Sequence, residues 1–285
     1  MKPTCIKDQA HDGTILVLGG TGKTGRRISA RLKAKGIATR IGSRSAVPEF
    51  DWNNEASWDD CLAGIEAVYV NYAPDLAMPG ATDLIQAFVN RAKRHDVKRL
   101  VLLSGRGEAE AQACESIVMN SGMQWTVVRA SWFNQNFSEG AFIDMVHAGQ
   151  ISLPAGDMLE PFVDVDDIAD IAMAALIDCR HHGEVYEVTG PRLLTLQDIA
   201  NTLSKATGRT ITYNEIPHDA FVAGVAESGA PEDVVWIMDY LFSTVLDGRN
   251  AYLTDGVERA LGRPAKDFVD YAYDAAATGV WRSVA

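Results

Sequence analysis

Short apolar runs alternate with amphipathic segments over the first half of the chain. The runs have the length and the β-branched content of buried strands, whereas the segments between them repeat apolar residues at the three- and four-residue spacing of helices. The runs predict strands at 14–18, 37–41, 67–72, 99–103 and 125–129. The segments predict a helix that ends at Gly36 and further helices at 58–62, 83–94 and 108–120.

The second half of the chain follows a different pattern, in which helical segments outnumber strands. We predict a small-residue helix at 166–177, a late strand at 184–188 and a short strand at 211–216. Between the two strands, Thr195-Leu196-Gln197-Asp198 resembles a capping box, which begins a helix that runs to Gly208. From residue 217 onward the pattern is mainly helical.

This order of elements predicts an α/β fold, a Rossmann-type doubly wound parallel sheet with a small, mostly helical C-terminal cap. Strands that alternate with helices pair in parallel because each crossover helix returns the chain to the same end of the sheet. We therefore expect a flexible tail at 1–12, a Rossmann core at 13–190, and a smaller substrate-cap region at 191–285 that packs partly on the core.

The first predicted strand runs directly into a glycine-rich turn, and a helix follows it. Glycines in such a turn let the backbone approach a pyrophosphate, and the amides at the helix N-terminus hydrogen-bond its oxygens. Because the strand and the helix that this mechanism requires are both present, the pattern predicts a dinucleotide site. The residues assigned to it are Gly19, Thr21, Gly22, Lys23, Thr24 and Gly25.

The same turn contains Gly22-Lys23-Thr24, which resembles the end of a P-loop. A P-loop requires a further glycine five positions before Gly22, and that position is Val17. The loop is too short to surround a triphosphate, which excludes an ATPase or a kinase. The sequence also has no Gly-x-Ser-x-Gly and no His-Glu-x-x-His motif, so hydrolase classes lack support.

Composition narrows the choice of partners and compartment. The formal net charge of −12 argues against a nucleic-acid partner, because phosphate backbones are bound by clustered Lys and Arg. Residues 1–12 lack the apolar segment of a signal peptide, and no run is apolar enough to cross a membrane. The four cysteines form no paired spacing, which is typical of reduced thiols and predicts a cytoplasmic protein. They are Cys5, Cys61, Cys114 and Cys179.

The sequence contains two groups of potential metal ligands, and neither predicts a metal site. Cys179 lies close to His181 and His182 in a polar connection, but no second ligand cluster accompanies them. The acidic run 164–167 lacks the glycine and the terminal glutamate of a calcium-binding loop, so helix capping explains it better.

Several stretches together resemble the NmrA-like branch of the atypical short-chain dehydrogenases/reductases, from Thr14 to about Gly262. Besides the glycine turn, the stretches are Phe50-Asp51-Trp52, Leu102-Leu103-Ser104-Gly105, residues 125–137, residues 162–169 and residues 187–191. The resemblance implies a Rossmann fold that binds a nicotinamide dinucleotide. It does not specify a reaction.

The resemblance also places the cofactor. In such folds the residues after the second strand meet the adenosine ribose, where a carboxylate favours NAD and an arginine favours the 2′-phosphate of NADP. Here Ser43 and Arg44 occupy that segment and no acidic residue precedes Glu49, so NADP(H) is preferred over NAD(H) and residues 13–190 form an NADP-binding core. By family analogy, Asp51 and Trp52 lie beside the adenine. Ala73 and Pro74, with Tyr72, lie along the ribose and nicotinamide.

One departure from the wider superfamily limits the chemistry. Its active members typically carry a Tyr-x-x-x-Lys pair after the fifth strand, which moves the substrate proton. No tyrosine or lysine stands between Ser104 and Ser121. Two hypotheses remain: an NADPH-dependent reductase of an iminium, quinone or enone, or a non-catalytic NAD(P)-binding sensor that acts through a protein partner.

The candidate pocket residues each have a structural alternative. Tyr72, Ser104 and Asn136 are the polar candidates for catalysis, although they are equally suited to packing, strand termination and helix capping. The aromatic candidates for a substrate wall, which are equally suited to the core, are Trp132, Phe133 and Phe137. The expected ligand is a small molecule, flat or cationic, and the oligomeric state stays open.

Overall fold

The computed structural model describes residues 13–282, so the flexible tail predicted at 1–12 lies outside the described residues. Six strands form one sheet in the order β2-β1-β3-β4-β5-β7, and β6 pairs with β8 in a second, two-stranded sheet. Pairing is parallel between β1 and β2, β1 and β3, β3 and β4, and β6 and β8. The strands are β1 (Thr14–Leu18), β2 (Thr39–Gly42), β3 (Ile65–Val70), β4 (Arg99–Gly105), β5 (Gln124–Ala130), β6 (Gln150–Leu153), β7 (Glu184–Val188) and β8 (Thr212–Glu215).

Helices separate most of the strands, as a doubly wound fold requires, and the predicted fold class is confirmed. They are α1 (Lys23–Ala34), α2 (Trp58–Leu62), α3 (Ala81–Arg94), α4 (Ala109–Met119), α5 (Asn136–Glu139), α6 (Ile143–Ala148), α7 (Val165–Ile177), α8 (Leu196–Thr207), α9 (His218–Glu227), α10 (Glu232–Tyr240), α11 (Gly256–Leu261) and α12 (Phe268–Thr278). No helix within 13–282 is both long and apolar enough to cross a bilayer.

Most predicted elements lie within two residues of the observed ones, because their signals are local. Gly36 follows α1 with φ of 72°, the left-handed conformation that ends a helix. The capping box at Thr195 is confirmed, since its side chain accepts from the Asp198 amide while the Asp198 carboxylate accepts from the Thr195 amide. The sequence prediction missed β6, a four-residue strand.

The described chain divides into two compact units of interleaved segments. The first unit contains the described residues up to Arg129, then Ile168–Tyr186 and Arg259–Leu261. The second contains Ala130–Asp167, Glu187–Glu258 and the described residues from Gly262 onward. The sequence placed one boundary at 190, whereas the observed units exchange segments at several points along the chain.

An aromatic cluster dominates the core of the first unit. The Phe50 ring meets those of Trp52 and Phe88 edge to face, with centroids 5.1 and 5.9 Å apart, and stacks on Trp58 at 6.0 Å. Phe88 and Trp58 are fully buried. Offset and edge-to-face arrangements are the favourable ones for aromatic rings, so this cluster anchors α2 and α3 against the sheet.

The second unit has its own aromatic core. Phe137 is fully buried and packs against Phe142, Phe162 and Phe268. The Trp281 indole N–H donates to the Phe137 carbonyl oxygen over 2.8 Å, which joins α5 to the residues that follow α12. This bond matters because a buried carbonyl without a donor costs free energy.

The cysteines and nearby histidines have structural partners. Cys61 and Cys114 are free, buried thiols, whereas Cys179 is disulfide-bonded, so the expectation of a reduced thiol is wrong at Cys179. The His181 ring hydrogen-bonds the Tyr186 hydroxyl over 2.8 Å. The His182 ring accepts a hydrogen bond from the Trp125 backbone amide through Nδ1. Within 13–282, no group of three His, Cys, Asp or Glu is placed to hold a metal ion.

Candidate functional site

The glycine turn is held against the end of β2. The Gly19 amide donates to the Gly42 carbonyl over 2.9 Å, and the Gly22 amide donates to the Gly19 carbonyl over 2.9 Å. Gly19 adopts φ of 62°, which favours glycine because other side chains clash with the backbone there. The turn therefore leads directly from β1 into α1 at the carboxyl edge of the sheet.

The start of α1 fits a pyrophosphate. A Cβ at Gly25 would lie 2.2 Å from the Gly19 carbonyl oxygen, so only glycine permits this close approach of helix and turn. No side chain caps the N-terminus of α1 and no acidic residue occupies its first turn. Uncapped amides at the positive end of a helix dipole attract an anion, and these residues fit the phosphates of a dinucleotide. Thr21, exposed, and Thr24, buried, flank this position.

The residues after β2 lie beside the same turn, because Gly42 bonds Gly19. Arg44 is exposed and Ser43 is half-buried. Arg40, the other arginine of this segment, donates to the carbonyl oxygens of Cys61 and Ala63 over 2.7 and 2.8 Å. The guanidinium of Arg40 is therefore engaged by the backbone, whereas Arg44 points from the loop into solvent-accessible space.

Asp51 and Trp52 belong to a tight turn that leads into the aromatic cluster. The Asp51 carboxylate accepts from the Asn53 amide over 3.0 Å. Trp52 is 8% exposed, and its indole N–H donates to the Asn71 carbonyl over 3.1 Å. The Asn71 side chain in turn fills the space beside Gly19. Trp52 thus ties the residue after β3 to the core, and its adenine contact stays a prediction.

The residues after β3 stand at the same edge of the sheet. The Tyr72 ring is half-buried and lies 5.1 Å from that of Trp52, while Ala73 and Pro74 are exposed and joined by a cis peptide bond. Burial, with a smaller contribution from Cys114, raises the pKa of the Tyr72 phenol. Tyr72 therefore stays protonated at neutral pH and keeps its capacity to donate a hydrogen bond.

Ser104 ends β4 but its hydroxyl is committed to a buried network. It donates to the Glu115 carboxylate over 2.7 Å, and Arg129 donates to the same carboxylate through Nε over 2.9 Å. Ser104 and Glu115 are 4% and 1% exposed. The network joins β4, α4 and β5, so a substrate would meet Ser104 only as an acceptor. Its catalytic role stays a prediction.

A second carboxyl group lies at the end of β4, and the sequence interpretation missed it. Glu108 is 5% exposed, and a Cβ at Gly105 would lie 2.1 Å from one of its oxygens. Its carboxyl group lies near that of Asp75, in the loop after β3. Burial, followed by the charge of Asp75, raises the pKa of Glu108 well above its usual range. In the sequence, only position indicated this pair, because each of the two residues follows a predicted strand.

The second unit holds the remaining candidates. Trp132 and Phe133 are half-buried after β5, and Asn136 is half-buried at the start of α5. The Trp132 ring stacks on Phe142 at 6.3 Å. Phe137 is fully buried in the core cluster against which Trp132 also packs, and its role as a substrate wall stays a prediction. Spacing along the chain could not distinguish these roles, because both residues are aromatic and follow the same strand.

A small apolar cleft of about 10 Å³, room for one water molecule, lies beside Trp132, so an organic ligand requires its walls to separate. Phe242, whose ring contacts that of Trp132 edge to face with centroids 5.1 Å apart, also lines the cleft, as does the exposed Met158. One acidic residue, Glu160, lines the cleft and is 2% exposed. Aromatic faces together with a carboxyl group suit a flat or cationic organic molecule. No pattern in the sequence indicated a site at Phe142, Phe242 or Glu160.

Two family models match the chain. The model described as the NmrA-like family matches residues 110–275, and the model described as NAD(P)H-binding matches residues 19–178. The second match begins at Gly19, the first glycine of the turn.

Similar proteins agree with these matches. Agroclavine dehydrogenase from Claviceps fusiformis is 33% identical over 282 residues, covering 92% of this chain and 96% of that protein. NAD(P)H azoreductase from Xenophilus azovorans is 28% identical, covering 90% and 96%. Among solved structures, an NADPH-dependent quinone oxidoreductase from Escherichia coli aligns with a TM-score of 0.72 at 20% identity, covering 91% of this chain and 99% of that one. That structural likeness shows the fold.

Proposed function

The chain belongs to the NmrA-like family, within a group of NAD(P)H-dependent oxidoreductases, and from that premise we propose that it is an NADPH-dependent reductase of a small, flat or cationic organic acceptor. The observation that carries the proposal is the glycine turn, packed on α1 too closely for any side chain at Gly25 and left without a side-chain cap. The acceptor classes proposed are iminium ions, quinones and enones. The protein is proposed to act in the cytoplasm.

The cofactor-binding part of the proposal assigns a role to each edge residue. The backbone amides of the glycine turn, together with those of the first residues of α1, hold the pyrophosphate. Ser43 and Arg44 hold the 2′-phosphate, because a guanidinium offers two parallel donors to phosphate oxygens. Tyr72 and Pro74 line the ribose and nicotinamide. When bound, the dihydronicotinamide supplies hydride.

The acceptor-binding part rests on the cleft of the second unit. Trp132 and Phe242 line this cleft in edge-to-face contact with each other, and Glu160 adds a buried carboxyl group to its lining. A cationic acceptor gains from both, whereas a neutral one gains only from the rings. Positioning and exclusion of water then supply much of the rate enhancement. This fits a chain without the usual tyrosine and lysine pair.

The first experiment is a panel assay. Purified full-length protein is incubated with NADPH and one acceptor from each class, and cofactor oxidation is followed by absorbance. We expect oxidation above background with at least one class. Tight NADPH binding without oxidation by any class contradicts the reductase proposal and supports the cofactor-sensing alternative, in which a protein partner binds in one cofactor state only.

The second experiment tests the choice of cofactor. Arg44→Ala removes a charge-assisted bond to phosphate, which is worth about 1.5–3 kcal/mol, so NADPH affinity should fall about tenfold to a hundredfold. NADH affinity should change little. The matched control is Arg94→Ala, which removes the same charge from an exposed position at the end of α3. Equal losses for both cofactors contradict the assignment of Arg44.

The third experiment tests the cleft. Glu160→Gln keeps the shape of the side chain and replaces its carboxyl group by a neutral amide, so the KM for an iminium acceptor should rise while the KM for a neutral quinone stays close to wild type. A similar change for both acceptors contradicts a charge-selective role for Glu160.

A further inference from the structure

The apolar cleft of the second unit is closed in this structure. Its space of about 10 Å³ accommodates one water molecule, whereas sites for small organic ligands usually enclose about 300–1,000 Å³. Part of the lining must therefore move before an aromatic acceptor can enter. The way in which each lining segment is attached to the unit indicates which part that is.

The cleft is lined by two kinds of segment. Leu153 of β6 and Leu196 of α8 are buried members of the core of the second unit. Phe242 and Leu246 belong instead to a π-helical turn, Leu241–Val245, and to the residue that follows it. The Leu246 amide closes this turn by donating to the Leu241 carbonyl over 2.9 Å. π-Helical turns are rare and occur frequently at functional sites.

The two helices before the π turn have few buried anchors. α9 has ten residues and α10 has nine, and each buries one side chain, Phe221 and Ile237 respectively. By contrast, α8 buries four of its twelve residues and begins with a capping box. The His218 ring hydrogen-bonds the Asp239 carboxylate over 2.7 Å, which joins α9 to α10 as one hairpin. Regions with few buried apolar contacts open at a lower free-energy cost than the core does.

Phe242 connects this hairpin to the cleft. Its side chain is 6% exposed, and its ring packs on that of Phe221 in α9 with centroids 4.7 Å apart. The same ring meets those of Trp132 and Phe142 edge to face, at 5.1 and 6.3 Å. Because Phe242 follows α10 directly and packs on α9, displacement of the hairpin withdraws its ring from Trp132 and enlarges the cleft.

We propose that the α9–α10 hairpin is a lid over this cleft and that the Phe242 ring is its gate, which sets the largest aromatic acceptor that the protein admits. This inference rests on the proposed reductase function. The occupant is a flat aromatic cation, because the lining combines aromatic rings with the buried carboxyl group of Glu160. Closure of the lid over a bound acceptor excludes water from the cleft.

The first test measures opening of the lid by hydrogen exchange and mass spectrometry of the full-length protein. Backbone amides of residues 218–246 should exchange about tenfold faster than those of α8, which lines the same cleft through Leu196. Saturation with N-methylquinolinium, a flat cation of two fused rings, should slow exchange in 218–246 and leave α8 unchanged. Equal exchange in the two segments, or no slowing on binding, overturns the lid.

The second test measures the affinity for flat cations of two sizes by calorimetry, with excess NADP⁺, which has no hydride to transfer. The probes are N-methylquinolinium and N-methylacridinium, which has three fused rings. Phe242→Leu shortens the gate and keeps it apolar. The affinity for the three-ring cation should therefore rise about tenfold, whereas that for the two-ring cation should change less than about twofold.

The matched control for the gate is Phe221→Leu. It makes the same chemical change on the hairpin at a buried residue that is not among the described residues lining the cleft. This variant should keep the size preference of the wild type. An unchanged size preference in Phe242→Leu, an equal shift in Phe221→Leu, or failure of the wild type to bind either cation overturns the gate.

These outcomes separate the lid from the proposed function, because neither test requires turnover and the exchange test requires no variant. If the wild type oxidises NADPH with no acceptor but binds the cations with the expected size preference, the reductase function fails and the lid stands. If it reduces acceptors while Phe242→Leu keeps the wild-type size preference, only the gate fails.

Discussion

Gly25 offers a direct measure of how closely the glycine turn and α1 must pack. A Cβ at Gly25 would lie 2.2 Å from the Gly19 carbonyl oxygen and 2.8 Å from the Gly20 Cα. Favourable contacts between heavy atoms lie at about 3.5–4.0 Å, so Gly25→Ala must separate the turn from the helix by about 1 Å. Both contacts are with backbone, which cannot rotate away as a flexible side chain does.

The free-energy cost of the clash in Gly25→Ala can be compared with the gain from replacing a helical glycine by alanine. Overpacking of this kind costs about 1–3 kcal/mol, and replacing glycine by alanine inside a helix returns about 1 kcal/mol. Unfolding stability should therefore fall by at most about 2 kcal/mol. NADPH affinity should fall further, by about tenfold to a hundredfold, because a hydrogen bond to a charged phosphate contributes about 1.5–3 kcal/mol.

The matched control is Gly224→Ala. Gly224 also lies inside a helix, α9, and a Cβ there would meet no heavy atom within 4 Å. This variant should gain about 0.5–1 kcal/mol of stability and bind NADPH as the wild type does. Urea denaturation measures the first quantity and fluorescence titration the second. Equal NADPH affinity in Gly25→Ala and wild type would refute the reasoning.

Three further predictions concern stability, each measured by urea denaturation. Arg129→Met leaves the Glu115 carboxylate buried without its cation and should lower the free energy of unfolding by about 3–5 kcal/mol. The double variant with Glu115→Gln should recover part of that loss. A loss below about 1 kcal/mol in the single variant would contradict this role of the ion pair. Thr195→Ala removes a capping box and should cost about 1 kcal/mol, whereas Thr202→Ala, at a half-buried position within the same helix, should cost less. Burial lowers the pKa of His181, so near that pKa the folded protein binds fewer protons than the unfolded chain. The free energy of unfolding should therefore fall as the pH drops below the ordinary histidine pKa. In His181→Gln, this free energy should depend less on pH.

Much of the fold was predictable because its signals are local. The glycine turn, the left-handed Gly36 and the capping box at Thr195 each depend on neighbours within a few residues, and each is observed. The missed strand β6 has only four residues, and its partner β8 follows much later in the chain. A short strand whose pairing is remote carries almost no periodic signal of its own.

The roles of the site residues were less predictable. Trp132 and Phe137 carry the same chemistry after the same strand, but one lines a cleft and the other fills a core. Ser104 stands at the predicted edge, yet its hydroxyl is held by Glu115. These distinctions arise from packing between distant segments, which no local pattern specifies.

The sequence by itself determined the order of strands and helices, the dinucleotide turn and the absence of the usual tyrosine and lysine, because each is a property of consecutive residues. Only the tertiary structure decided that the Ser104 hydroxyl, at the end of β4, is held by Glu115 of α4. The physical reason is that packing of α4 against β4 brings these two side chains together, which no pattern of consecutive residues specifies.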